Sequence, residues 1–219
     1  MRARVYLFDI DGTLLQTAGA GWRALTGAMG EEFGVAEVVG IELRGRTDYA
    51  IVGDLLRMSR VPVQADSRQR LLRAYHSRLA AELQRGGGSV LPGVWEVLNL
   101  LGDQTQAVVG VLTGNGAQGA DIKLRHFGLQ SRFAMGVFGD QREHRSDLAR
   151  DAMSTLRRQL GADLKGEEVC IIGDTPSDVE CALAIEARAV GVATGGFSGE
   201  ELAKAGAHLV LRSLADWPI

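Results

Sequence analysis

Beyond Val90 the chain keeps one rhythm, in which short apolar runs alternate with stretches of helical pattern. The runs fall near 107–112, 134–138, 168–173, 189–193 and 208–211. Strands joined through helices run parallel, and the crossing helices cover both faces of the sheet they make. The alternation therefore predicts an α/β fold, with a Rossmann-like parallel sheet core and helices on both faces. A further run near 4–8, Val5-Tyr6-Leu7-Phe8, has the same character and needs neighbours, which places it in that sheet.

A different period fills the stretch from about Gly19 to Arg85. Trp22, Leu25, Met29 and Phe33 recur three and four apart, and Ile51, Val52, Leu55 and Leu56 follow Asp48, a candidate N-cap. Leu71, Leu72, Tyr75, Leu79 and Leu83 form a third stripe. Such stripes are the packed faces of a small helical bundle. The bundle interrupts the sheet after its first strand. We therefore expect a core built from residues 1–16 and 90–219, with a helical insertion over 17–89. Gly-rich crossings mark both edges, Thr17-Ala18-Gly19-Ala20-Gly21 on entry and Arg85-Gly86-Gly87-Gly88-Ser89 on exit. Side by side they would hinge the insertion over the sheet.

Composition narrows the function by exclusion. A net charge of -3 and a pI near 5.8, with no basic run, argue against nucleic acid or an anionic membrane as partner. No stretch approaches the roughly 18 apolar residues of a membrane span. Met1-Arg2-Ala3-Arg4 leads straight into strand-like sequence without a signal segment, so a cytoplasmic setting is expected. Cys170 lies in Val169-Cys170-Ile171-Ile172 and Cys181 among helix formers, and neither belongs to a Cys/His cluster. Both read as small buried hydrophobes. His76, His126, His144 and His208 lack metal spacing and read as surface or satisfied residues.

Open parallel sheets bind ligands beyond the carboxyl ends of their strands, so the residues that follow each run carry the functional information. Asp9 and Asp11 follow the first run, and side chains two apart on an extended segment point the same way. Two carboxylates that close resist ionising unless a cation compensates. Asp11-Gly12 is also a strong turn signal, so the pair alone fits a turn as well as chemistry. The run at 107–112 ends on Thr113, Gly114 and Asn115, and that at 168–173 on Asp174, with Asp178 four residues on. Three strands thus bring hydroxyl or carboxylate groups to one edge. Two other readings compete for these residues. Thr175-x-x-Asp178, with Pro176 at the first helical position, has the form of a capping box. Gly114-Asn115-Gly116-Ala117-Gln118-Gly119 spells the dinucleotide fingerprint, with Asp140 a loose acidic partner, but that reading leaves Asp9 and Asp11 idle.

Taken in order, Asp9-x-Asp11-x-Thr13, Val111-Leu112-Thr113-Gly114-Asn115 and Gly173-Asp174-Thr175-Pro176-Ser177-Asp178 resemble three motifs of one family. They match the first, second and fourth motifs of the haloacid dehalogenase-like superfamily, in its phosphatase branch, and the resemblance spans the chain. Leu91-Pro92-Gly93-Val94 is similar to the segment that re-enters the core after the cap in the phosphoglycolate phosphatase-like subgroup, and Gly45-Arg46-Thr47-Asp48 to a cap element. The resemblance implies a magnesium-dependent phosphatase acting on a small phosphorylated metabolite such as phosphoglycolate, as a monomer or homodimer. It makes Asp9 the nucleophile that becomes an aspartyl phosphate, and Asp11 the acid that protonates the leaving oxygen and later the base that activates water. Asp9, the Asp11 backbone carbonyl, Asp174 and water held by Asp178 would carry the magnesium. Thr113, Gly114 and Asn115 would hold the transferring phosphate.

The chain departs from the family at the third motif, where relatives place a lysine. Here His144-Arg145-Ser146-Asp147-Leu148 puts Arg145 at that point, and we assign Arg145 to charge balance and phosphate binding. Arg142 is the fallback; Lys165 falls too far along the chain and Lys123 too early. Arg46 is a candidate cap contact to an anionic group of the substrate, or an exposed cap residue. Asp11 disfavours the dehalogenase and phosphonatase branches, which lack an aspartate there. Phosphomutases of the β-phosphoglucomutase-like type keep it and are the alternative within the family. A non-enzymatic phosphate-accepting regulatory domain is the alternative outside it, though the helical insertion would then have no evident purpose.

Overall fold

The computed structural model describes residues 3–218 apart from 36, 39 and 105, so Met1, Arg2 and Ile219, assigned above to the core, lie outside the described residues. Strand β1 (Val5–Phe8) is buried along its whole length because it has a strand on either side and helices on both faces. Its neighbours are β4 (Val108–Thr113) and β6 (Val169–Gly173). Outside these lie β5 (Met135–Phe138) on one flank, and β7 (Arg188–Val192) and β8 (Leu209–Leu211) on the other. The order is β5-β4-β1-β6-β7-β8, and every pairing is parallel. Strands β4 and β5 are thus laid down on one side of β1 and β6, β7 and β8 on the other, the kind of switch point beside which open sheets bind their ligands.

Register makes this edge a site. Phe8 pairs with both Val111 and Ile172, and Asp9 N–H donates to Ile172 O at 2.9 Å. Asp9 just after β1, Thr113 at the end of β4 and Asp174 just after β6 therefore emerge side by side.

The strand period of two divides the core. Tyr6 and Phe8 face α4 (Val94–Gly102) and α5 (Ala117–His126) through Val97, Leu98, Leu101, Ala120 and Leu124. Val5 and Leu7 face α6 (Arg145–Leu160) and α7 (Pro176–Leu183) through Leu148, Ala152, Leu156, Val179 and Ala182. Cys170 and Cys181 are free and buried, as their apolar surroundings predict.

The helical stretch forms three helices, α1 (Ala20–Phe33), α2 (Asp48–Met58) and α3 (Ala65–Gln84). Leu25, Met29, Ile51, Leu55, Leu71, Tyr75 and Leu79 bury one another in a third apolar cluster. The chain enters this block after β2 (Leu15–Gln16) and leaves through β3 (Ser89–Val90), and these two short strands pair antiparallel. Gly88 belongs to that crossing by necessity: its φ is +91° and a Cβ there would stand 2.3 Å from Gln16 O. The N-cap of α2 differs from the expectation. Thr47, not Asp48, caps the helix by accepting from Ala50 N–H at 3.1 Å, because the Asp48 side chain is committed to the core. Among the described residues no helix is long and apolar enough to cross a membrane.

Candidate active site

Asp9 follows a strand that packing holds on all sides, and the residue is 4% exposed. Gly12, at φ +86°, turns the chain back, and a Cβ there would meet the Asp174 carboxylate at 2.5 Å. The turn aims Thr13, whose Oγ1 donates to Asp174 Oδ1 at 2.9 Å. Gly195 closes against the same carboxylate, where a Cβ would come within 1.6 Å of Oδ2. Asp174 is thus held by a hydroxyl and by two close backbone passes.

Asp178 serves two ends at once. Its Oδ2 accepts from Thr175 N–H at 3.1 Å and Thr175 Oγ1 at 2.7 Å, completing the capping box of α7. Its Oδ1 faces Arg145 at 2.5 Å. The capping and functional readings of this residue are therefore compatible, one oxygen for each.

Asp9, Asp174 and Asp178 each present a carboxylate oxygen within 4.8 Å of the others, and all three residues are buried. Burial is the main force raising the Asp174 carboxyl, to about 8, with Asp9 and Asp178 adding to it. Burial likewise raises Asp9, to about 6, against the pull of Arg145. Arg145 is buried too, yet Asp178 and Asp9 hold its guanidinium charged. It comes within 2.7 Å of Asp9 Oδ1 and 2.5 Å of Asp178 Oδ1, out of line for a hydrogen bond with either. One guanidinium against three carboxylates leaves an excess of negative charge and buried oxygens without hydrogen bonds. Those are the features of a divalent-cation site, and hard oxygen donors suit such an ion.

The second carboxylate of the pair has a different partner. Asp11 is half-exposed, and its Oδ2 accepts from Lys123 Nζ at 2.6 Å and Asn115 Nδ2 at 2.7 Å. Lys123 Nζ also donates to Asn115 Oδ1 at 2.6 Å, and Asn115 Nδ2 to Thr113 Oγ1 at 2.8 Å. Thr113 is fully buried beneath this network. Arg145, not Lys123, stands beside Asp9 and Asp178, but Lys123 has a place at the site that its distance from the third motif did not suggest. Helix α5 starts at the same sheet edge, and its second turn brings Lys123 back over Asp11. The signal available in the sequence was spacing: Lys123 lies eight residues after Asn115, on a helix whose start is at the site.

A cavity of about 500 Å³ opens over these groups, bordered by Asp9, Asp11, Asn115, Lys123, Arg145 and Asp174 from the core. Trp22, Leu25, Ile51, Tyr75, Arg44 and Arg46 of the helical block border it from above. Arg46 is engaged within the block, by Asp54 Oδ2 at 2.5 Å and Glu42 O at 3.3 Å. Arg142 is not brought to the site; it pairs with Asp151 on the exterior. The helical block is seated on the core through backbone and side chain alike. Asp48 N–H donates to Gly114 O at 2.7 Å, Thr47 Oγ1 to Arg142 O at 2.5 Å, and Gly116 N–H to Asp48 Oδ2 at 2.8 Å. His76 on α3, read as a surface or satisfied residue, is buried, and burial pushes its pKa below the ordinary imidazole value against the opposing pull of Asp140 and Gln118.

The same contacts remove the basis of the dinucleotide reading. A pyrophosphate would need the N–H groups at the start of α5. Gly116 N–H is taken by Asp48 and Ala117 N–H by Asp140, so carboxylates already fill that end. Asp140 lies at the end of the next strand but turns back to the helix start.

A family model described as haloacid dehalogenase-like hydrolase matches residues 6–192. Among curated proteins none matches the chain. The fold is similar to that of a predicted phosphoglycolate phosphatase from Haemophilus somnus 129PT, at 16% identity and a TM-score of 0.73, covering 99% of this chain and 96% of that one. It is similar also to CbbY from Rhodobacter sphaeroides in complex with phosphate, at 21% identity and a TM-score of 0.77, covering 98% and 96%. A variant of CbbY in complex with xylulose-(1,5)bisphosphate gives 21% identity and a TM-score of 0.78 over the same shares.

Proposed function

The chain belongs to the haloacid dehalogenase-like hydrolase family, and from that premise we propose a magnesium-dependent phosphatase that hydrolyses a small phosphorylated metabolite through an aspartyl phosphate on Asp9. The observation that carries this reading is the meeting of three buried carboxylates, Asp9, Asp174 and Asp178, at the edge where Asp11 faces the same cavity. Asp9, the Asp11 backbone carbonyl and Asp174 would hold the ion, with Asp178 holding water to it. When bound, the ion offsets the repulsion between a carboxylate nucleophile and a dianionic phosphate.

The protein's own groups supply the rest. Asp9 attacks phosphorus, and its carboxylate is ionised at neutral pH because Arg145 offsets part of the burial penalty. Asp11 passes a proton to the leaving oxygen, then takes one from the water that cleaves the aspartyl phosphate. Thr113 accepts from Asn115 and keeps its own O–H to donate to a transferring oxygen, with Gly114 N–H beside it. Arg145 balances charge around Asp9 and Asp178. The helical block serves as a cap that keeps water out during transfer, hinged at the crossing beside β2 and β3.

Phosphoglycolate is the first substrate to test, within a panel of small phosphate esters assayed with magnesium and with EDTA. Turnover that needs the metal and falls by more than about 10³-fold in Asp9→Asn is the expected result. Near wild-type hydrolysis by that variant, or full activity in EDTA, would overturn the reading.

A further inference from the structure

Asp11 is an acid/base only if its carboxyl stays within hydrogen-bond reach of the leaving oxygen, and displacement by about 1 Å costs on the order of 10²-fold in rate. On a turn that leaves it half-exposed, an aspartate has several rotamers available. What holds it here is a cation from another element. Lys123 is 5% exposed, its Nζ is 2.6 Å from Asp11 Oδ2, and Asn115 Oδ1 holds the same ammonium from the other side. Asn115 also donates to Asp11 Oδ2 at 2.7 Å, so the three side chains close a ring. Both donors fall on Oδ2, and among the described residues no donor reaches Oδ1.

We propose that Lys123 is the positioning residue for Asp11: it pins Oδ2 to the core so that Oδ1 faces the cavity as the oxygen that exchanges a proton with the leaving group. Swinging Asp11 away would strand a buried ammonium without its carboxylate, which keeps the acid in place whatever the helical block does. Lys123 sits on α5, packed against the sheet through Ala120 and Leu124, so the anchor is as rigid as the core. The two cations that the core brings to the site then have separate tasks, Arg145 beside the nucleophile and Lys123 beside the acid. This inference rests on the phosphatase reading and adds to it a residue the motif pattern passes over.

The test uses leaving groups. Nitrophenolate departs without a proton, whereas an alkoxide needs one, so a misplaced acid harms alkyl esters selectively. The quantity to compare is kcat/KM, which covers events up to departure of the alcohol and excludes breakdown of the aspartyl phosphate. For Lys123→Met the loss with the best alkyl phosphate of the panel is expected to exceed the loss with p-nitrophenyl phosphate by about 10²-fold. Lys123→Gln, whose amide still donates, should fall between, and carries the test if the Met variant fails to fold by circular dichroism. Parallel losses on both esters, or none on either, would overturn the positioning role while leaving the phosphatase reading intact. A wild-type protein that turns over neither ester would overturn both.

Discussion

Arg145 lies 2.7 Å from the carboxylate of Asp9, out of line for a hydrogen bond. A cation so placed balances charge without occupying the directed lone pairs of the oxygen. On the proposed reading this leaves Asp9 electron pairs for a metal ion and for phosphorus, which a bidentate pair would have tied up. Four predictions follow from this arrangement and its surroundings.

Removing the guanidinium strands the buried carboxylates of Asp9 and Asp178. Breaking one side of a buried ion pair costs about 3–5 kcal/mol. Arg145→Met is expected to lower the melting temperature of the metal-free protein by many degrees, with part of the loss returned by magnesium, and to cut turnover by at least about 10²-fold. Arg145→Lys keeps the charge, but both contacts come from Nη2 at the tip of the longer side chain, where a lysine ammonium is not placed equally well, so an intermediate value is expected. Calorimetry with and without magnesium measures both; unchanged melting in Arg145→Met would refute the account.

The raised carboxyls set a pH dependence with a definite sign. Asp174 at about 8 and Asp9 at about 6 lie above the value of 3.8 for an unperturbed aspartate. The folded state therefore keeps protons that the unfolded state releases. The stability this confers is complete below that ordinary value and is lost as pH rises through 6 and then 8. A divalent cation takes the place of those protons, so the magnesium-induced rise in melting temperature should grow between pH 5 and pH 8 and level off above. A rise that shrinks over this interval would contradict the site.

Gly114 tests the seating of the helical block. A Cβ there would stand 2.1 Å from Arg46 O, a backbone atom that cannot rotate aside. Gly114→Ala should hold the block off the loop after β4 and disrupt the Asp48 N–H bond to Gly114 O. Because the block and the sheet have separate apolar clusters, folding should survive while kcat/KM falls by at least about 10²-fold. Limited proteolysis should report faster cleavage near 85–89, and wild-type kinetics would rule the seating out as a requirement.

Thr47 makes the corresponding test from the other side. It caps α2 and donates to Arg142 O, so Thr47→Ala should cost about 1 kcal/mol in helix stability alone. Thr47→Ser retains both bonds and should restore stability and activity together. Equal stability in the Ala and Ser variants, measured by urea unfolding, would show that the cap contributes nothing.

Much of this molecule was legible in one dimension. The six parallel strands lie where apolar runs predict them, and the helical block where the period changes to three and four, because both patterns are local consequences of which side must be buried. Asp9, Thr113 and Asp174 were legible for a related reason. Parallel strands in register end together, so residues at the ends of apolar runs gather at one edge.

Other features were decided only by packing. Asp48 resembles a helix cap in the sequence, but the approach of α2 to α5 hands the cap to Thr47 and turns Asp48 to Gly116 N–H. The fingerprint at Gly114 reads as a phosphate loop until Asp48 and Asp140 are seen filling it. Asp178 was open to two readings, and packing commits one oxygen to the capping box while turning the other to Arg145 at the site.

The sequence by itself determined the fold class, the helical insertion and the carboxylates of one sheet edge, since periodicity and strand ends are properties of neighbours along the chain. Only the tertiary structure decided which cation serves which carboxylate. Arg145 and Lys123 reach Asp9 and Asp11 from helices on opposite faces of the sheet, across 136 and 112 positions, and spacing carries no information about pairs that crossover packing alone brings together.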